Sequence, residues 1–220
     1  MGDLNQHAFI HDHKSLVKGP VLEVGSRDYG NTADIRSQFE LDYVGIDMSD
    51  GKGVDKVINL CDDFEEVDEQ LGNKRFGTII CLSVMEHCID PFSMAKCITR
   101  LLADDGILFL SVPFAWKVHG YPSDYWRFTP QGVRALFPEL DFDQHPGFAT
   151  TNVIGRTAPL DDDLMRVFTS PSKGLRSGQQ NVFAAAAMSL LRPLRLLPRW
   201  LREHPYLSPP VMVNMIGCKQ

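Results

Sequence analysis

The chain has 220 residues, of which 44% are hydrophobic and 23% charged, and a net charge of −6. That length allows one domain with a core large enough to need no staples, and the negative balance argues against a nucleic-acid binder held by a broad basic surface. The five cysteines (Cys61, Cys81, Cys88, Cys97 and Cys218) form no CxxC pair, which speaks against a zinc knuckle or a disulfide framework and for a reducing, cytoplasmic setting.

The opening stretch MGDLNQHAFIHDHK lacks the basic start and apolar run of a signal peptide. No run of about 18 apolar residues follows, so no membrane-spanning helix is expected. Residues 1–19 read as a polar lead-in with some helical tendency. On a helix His7 and His11 would share a face, as metal ligands can, with His13 close by. A terminal, exposed segment makes an ordinary surface the expected reading. Residues 21–25 (VLEVG) form a short apolar run ending in glycine, which suits a buried strand. A helix is expected over residues 31–39. Residues 43–47 (YVGID) and 54–60 read as the second and third strands, and 76–82 (FGTIICL) as a fourth. Residues 91–102 have helical spacing, with Phe92, Ala95, Ile98 and Leu102 on one face. Asp104-Asp105-Gly106 closes that helix, and 107–112 (ILFLSV) is a fifth strand. Residues 114–129 mix aromatic and polar side chains. Thr129 as N-cap and Pro130 in the first turn then start a helix that runs to about residue 137. A sixth strand is expected within 141–157. Residues 159–181 read as loop, 182–203 as helical but broken by Pro193 and Pro198, and 211–218 as a last strand.

Strands alternating with helices imply a parallel sheet covered on both faces. In such sheets ligands lie at the carboxyl ends of the strands, so the residues just after each run carry the information. After the first strand, Gly25 lets the chain pass close to a ligand where a Cβ would intrude. Glu23 can accept hydrogen bonds there, and Ser26 follows. Taken alone this is an ordinary strand-to-helix turn, because the full GxGxxG is absent. Asp47 ends the second strand, where a carboxylate can hold both hydroxyls of a ribose; Met48 follows it. Glu23, Gly25 and Asp47 together point to a nucleoside-containing cofactor. Beyond the third strand Asn59 and Asp62 could meet an adenine amino group while Leu60 packs on the ring. Ser83, Met85, Glu86 and His87 end the fourth strand, where titratable residues are functional candidates. Glu86 as a helix cap and His87 as a surface histidine are the competing reading.

The segments VLEVGS, YVGID, VINLCDD, FGTIICLSVMEH and DDGILFLSVPF, in this order, resemble the successive motifs of class I S-adenosylmethionine (SAM)-dependent methyltransferases. The resemblance covers about residues 20–137, and the last strand also fits. It implies an α/β fold: a Rossmann-like, doubly wound, seven-stranded sheet, mostly parallel with an antiparallel last strand. A single domain over 1–220 is expected, with a core at about 20–158 plus 211–218 and an insertion or lid at 159–208. The resemblance implies SAM as cofactor. It puts Glu23 and Gly25 by the methionine portion and Asp47 by the ribose, with Ser26 and Met48 also among the cofactor-binding residues. Asn59, Leu60 and Asp62 frame the adenine, and Ser83 and Met85 line the floor. Arg27 and Tyr29 stand where the family's first loop commonly has glycines. MEH also resembles the metal-binding ExxEH of ubiquinone-type O-methyltransferases. Ser83 occupies the place of the first acid, so no metal is expected.

HGYPSDYWRFTP (119–130) resembles one branch of small methyltransferases associated with sugars and other small metabolites. A small-molecule acceptor with a reacting oxygen is expected, with His119, His87 and Asp124 as candidate general bases. Tyr121, Tyr125 and Trp126 could stack on the acceptor, and Arg127 could hold an acidic group of it. Plain packing of these aromatics is the alternative. Residues 190–202 (LLRPLRLLPRWLR) could cover the acceptor pocket or make weak contact with a membrane surface. A non-catalytic SAM-binding protein and a membrane-peripheral interaction protein stand as alternatives. The missing glycines count against a nicotinamide dehydrogenase.

Overall fold

A computed structural model describes residues 4–30, 34–120, 122–150, 157–160, 186, 190–191 and 211–220. The expected contact of Tyr121, nearly all of the expected lid at 159–208 and the basic stretch beyond Leu191 lie outside the described residues.

The helices are α1 (Leu4–Asp12), α2 (Phe64–Gln70), α3 (Pro91–Leu101) and α4 (Pro130–Leu136). The strands are β1 (Val21–Val24), β2 (Tyr43–Asp47), β3 (Lys56–Val57), β4 (Phe76–Leu82), β5 (Leu102–Pro113), β6 (Leu140–Asp141), β7 (Phe148–Thr150), β8 (Thr157–Pro159) and β9 (Met212–Lys219). They form one sheet in the order β3-β2-β1-β4-β5-β9-β7-β8, with β6 also pairing with β9. From β3 to β5 all neighbours are parallel. β9 runs antiparallel between β5 and β7. The sheet is therefore the expected mostly parallel one with an antiparallel last strand. The short β6 and β8 raise the strand count from the expected seven to nine.

β4 is buried along its whole length, and its unbroken FGTIICL run reflects cover on both faces. One face carries α2, α3 and α4 through Val67, Leu71, Met94, Ile98 and Val133. The other carries α1 through Phe9 and Ile10, together with Ile35. Asp90 starts α3 by accepting from the backbone N–H groups of Phe92 and Ser93, both at 3.1 Å, with Pro91 in the first turn. Thr129 starts α4 in the expected way, its hydroxyl accepting from Gly132 N at 3.0 Å.

Five expectations change, the first at the end of α3: it stops at Leu101, and Asp104-Asp105-Gly106 lie within β5 instead of closing the helix. α1 is not a polar lead-in, because Gln6, His7, Phe9 and Ile10 are buried. Phe9 meets Phe109 and Phe148 edge-on at centroid distances of 5.6 and 5.2 Å. His7 therefore faces the sheet while His11 is exposed, and the two do not form a shared surface face. Over residues 34–39 the expected helix is a single 3-10 turn at Arg36–Gln38. The third strand keeps only Lys56–Val57 of 54–60. On α3, Phe92 is 64% exposed; the buried face runs through Pro91, Met94, Ala95, Ile98 and Leu101, the i, i+3, i+4 set that a straight helix turns inward.

Candidate active site

The strand order reverses between β1 and β4, and a cavity of about 910 Å³ opens there at the carboxyl ends of the strands. Gly25 closes β1 with φ +75°, a left-handed conformation that favours glycine. The backbone N–H groups of Gly25 and Ser26 both donate to Ile46 O, at 2.8 and 3.0 Å, which holds this turn against β2. Asp47 ends β2 at the cavity wall, and its Oδ1 accepts from Ser49 N at 2.9 Å. Met48, Ile58, Asn59 and Leu60 continue that wall. Asn59 is set by its own turn: its Oδ1 accepts from Cys61 N at 3.1 Å and its Nδ2 donates to Asp62 at 2.8 Å.

Ser83 leaves β4 at φ +55°, an uncommon conformation for a residue with a Cβ. Its hydroxyl accepts from Gln6 Nε2 at 2.8 Å. The same amide nitrogen lies 2.8 Å from Ser111 Oγ, which donates to Asn214 Oδ1 at 2.7 Å. Asn5 and Gln6 line the cavity, so α1 contributes to the site. These buried polar groups form a chain from α1 across β4 and β5 to β9.

Beyond Ser83 lie Glu86, His87, Trp116, His119 and Tyr125, all on the cavity wall. Glu86 is 1% exposed, and its Oε2 has no hydrogen-bond partner among the described residues. Burial pushes its carboxyl up to about 7. Burial also lowers the His87 imidazole below its ordinary value. His87 Nδ1 lies 2.5 Å from Ser123 O. The His87 and His119 rings meet edge-on at 4.9 Å.

Asp124 organises the segment that carries His119. Its buried carboxylate accepts from His119 N at 2.9 Å, meets His119 Nδ1 at 3.0 Å and accepts from Arg127 Nη1 and Nη2 at 2.5 and 2.8 Å. The Arg127 guanidinium holds that carboxyl well below the usual carboxylate range. Arg127 also donates to Trp116 O at 3.1 Å and to Lys117 O at 3.2 Å. The segment is docked onto the fourth tip by Tyr125 N to Glu86 O and by Trp126 Nε1 to Cys88 O, both at 2.8 Å.

The cavity thus brings together Gly25, Asp47, Met48, Asn59, Leu60, Ser83, His87, His119 and Tyr125 from the expected set. Other expected residues lie behind its wall. Glu23 is buried and accepts from Tyr43 OH at 2.9 Å, with burial pushing its carboxyl above the usual range. Ser26 is buried, and Cβ atoms at Gly45 and Gly53 would collide with it. Met85 is core, and Asp62 serves the Asn59 turn. Asp124 and Arg127 are spent on each other, and the Trp126 indole N–H on Cys88. Gln6 and Trp116 on this wall were not among the expected residues, and Glu86 was expected only as a candidate at the fourth tip, without an assigned role. Glu86 had a signal, an acid beside a strand tip; Gln6 had none.

Strand order, antiparallel β9 and a switch-point cavity with an acid at the second tip define the class I methyltransferase architecture. Residues 7–145 match the family described as "Methyltransferase domain", and the chain belongs to that family. It is a SAM-dependent methyltransferase. No curated protein matches the sequence. Among solved structures, it is similar to a SAM-dependent methyltransferase from Archaeoglobus fulgidus (14% identity, 97% of this chain and 92% of that one, TM-score 0.52). It is also similar to the YcgJ protein from Bacillus subtilis (14% identity, 98% of each chain, TM-score 0.53). A third is phosphoethanolamine N-methyltransferase 2 from Haemonchus contortus, in complex with phosphomonomethylethanolamine and S-adenosylhomocysteine (14% identity, 99% of this chain and 52% of that one, TM-score 0.51).

Proposed function

We propose that this enzyme methylates an oxygen of a small, hydroxyl-bearing metabolite, of sugar type or similar, bound between Tyr125, Trp116 and the Glu86–His87–His119 cluster. The observation that carries the reading is a single cavity with two chemically different ends. At one end are the features a nucleoside cofactor needs: the Gly25 turn without a Cβ, the Asp47 carboxylate at a ribose-binding position, and Met48, Ile58 and Leu60 as an apolar wall for a base. At the other are imidazoles, a buried carboxyl and aromatic rings, a set suited to holding an acceptor and moving its proton.

The donor set fits SAM, which when bound supplies an electrophilic methyl group on a sulfonium sulfur. The chain's own part is to bind, align and dry the reactants. Asp47 holds the ribose hydroxyls. Asn59 and Leu60 frame the adenine, and Ser83 shapes the floor between the two ends. His119 is the general base, oriented by Asp124, and Tyr125 and Trp116 exclude water over the acceptor. Asp124 and Arg127, committed to each other, position His119 and do not contact the acceptor. The small phospho-amine held in the Haemonchus complex agrees with a metabolite-sized acceptor. The imidazoles here favour oxygen, whose proton must be removed.

Calorimetric titration with SAM, S-adenosylhomocysteine and NAD tests the cofactor half. The first two should bind and NAD should not. Asp47→Ala should weaken SAM by roughly 10- to 100-fold, the loss of charged hydrogen bonds worth about 1.5–3 kcal/mol; an unchanged affinity overturns the ribose assignment. Release of S-adenosylhomocysteine in the presence of sugars, phenols and matched amines tests the acceptor. Turnover confined to the amines would overturn the oxygen reading.

A further inference from the structure

We propose that Glu86, His87 and His119 form a binding site for one divalent transition-metal ion of the zinc class, with an open position toward the cavity for an oxygen donor of the acceptor. The role toward the acceptor rests on the methyl-transfer reading; the binding of the ion does not.

Each of the three residues offers a ligand atom, and these atoms lie within 4.8 Å of one another. Donors about 2.1 Å from a tetrahedral ion sit about 3.4 Å apart, so side-chain rotations on the order of 1 Å close the set. His87 Nε2 and Glu86 Oε1 are already at 3.9 Å. The two imidazoles are oriented as metal ligands are, by a hydrogen bond from the ring nitrogen remote from the metal. Ser123 O fixes Nδ1 of His87 as the protonated nitrogen, and Asp124 Oδ2 does the same for His119. Both arrangements leave Nε2 as the nitrogen carrying the lone pair; in His119 that pair takes the acceptor proton only while no ion holds it. His119, Asp124 and the Arg127 guanidinium then form a carboxylate–histidine relay whose polar outlet toward the cavity is that imidazole.

Glu86 supplies the independent observation. A carboxyl 1% exposed, on the cavity wall, has an oxygen with no hydrogen-bond partner among the described residues. A carboxylate removed from water is costly unless it is paired or coordinates a metal. The neighbouring cation, Arg127, is bound to Asp124. Two imidazoles and one carboxylate match the donor preference of zinc-class ions, and three protein ligands leave the open position typical of catalytic rather than structural sites. The expectation of no metal rested on Ser83 standing where a first acid would be. His119, arriving from the segment after β5, provides the third donor instead.

The test is titration of chelator-treated protein with Co²⁺, followed by its visible absorption bands, with Zn²⁺ as competitor. One ion per chain is expected. Glu86→Gln, which keeps the shape of the buried side chain, and His119→Ala should each weaken Co²⁺ by at least about 10-fold, with SAM affinity unchanged. His11→Ala, at an exposed histidine on α1, should leave Co²⁺ binding as it was. Folded protein that binds SAM but no Co²⁺ overturns the metal site alone, as does equal Co²⁺ affinity in the wild type and in both site variants. Co²⁺ binding that needs Glu86 and His119, in protein that does not bind SAM, supports the ion site and overturns the methyl-transfer reading.

Discussion

A carboxyl group taken out of water must be paired, neutralised or given a metal, and three carboxyls of this enzyme meet that demand differently. Asp124 is paired with Arg127. Glu86 meets the demand by burial, which pushes its carboxyl up to about 7, with His87 Nε2 3.9 Å from its Oε1. Glu23 has the neutral Tyr43 hydroxyl, and burial raises its pKa above the ordinary 4.5. The sign of its pH effect follows. With the folded-state pKa raised, Glu23 contributes stability that is fully present below its unfolded pKa and lost as pH rises through the folded one. Glu23→Gln, which can still accept from Tyr43, should therefore be more stable than the wild type at pH 8, the difference shrinking toward pH 4.5. Urea denaturation across that range checks it, and equal pH profiles would remove Glu23 as the source. Residues at strand tips were legible in the sequence because position alone puts Gly25, Asp47, Leu60 and Ser83 beside a switch point. Partners were not. That Asp124 would spend its charge on Arg127, and that Glu23 would turn to Tyr43, depends on how the chain folds back, which no local spacing encodes.

Caps and apolar periods determine the elements, and both act over a few residues. Asp90 accepts from two backbone N–H groups and from the Ser93 hydroxyl. Asp90→Ala should cost about 1 kcal/mol and lower Tm by roughly 2–4 °C, with SAM affinity unchanged; a Tm equal to wild type would mean the start of α3 is held by packing alone. β4, α4 and β9 were legible for such local reasons: an unbroken β-branched run, a Thr-Pro start and an apolar end segment. α1 was not, since half of its buried face is Gln6 and His7, polar residues whose burial is decided by the sheet they meet. α2 escaped notice too, although Asp63 caps it by accepting from Glu65 N at 3.1 Å. β3 shrank to Lys56–Val57 because it is an edge strand, with β2 as its one neighbour among the described residues.

At the scale of the molecule, one cavity draws its walls from α1, the tips of β1, β2 and β4 and the segment after β5, so a ligand there links elements remote in sequence. SAM at 100 times its dissociation constant should add about 2.7 kcal/mol to the folded state, a rise in Tm of roughly 5–10 °C for a chain of this size. A thermal shift with S-adenosylhomocysteine but none with NAD is expected, and no shift with either would argue against a formed cofactor cavity. The place of β9 has another consequence. Met212–Lys219 lies between β5 and β7, made long before it. During synthesis, then, the half of the sheet from β3 to β5 can assemble early, while β7 and β8, which pair only with each other and β9 among the described residues, join that sheet only once β9 has left the ribosome. Until that moment β5 presents an unpaired edge. The nascent enzyme is most exposed to wrong partners not at the start of its synthesis but just before the strand that closes its sheet emerges.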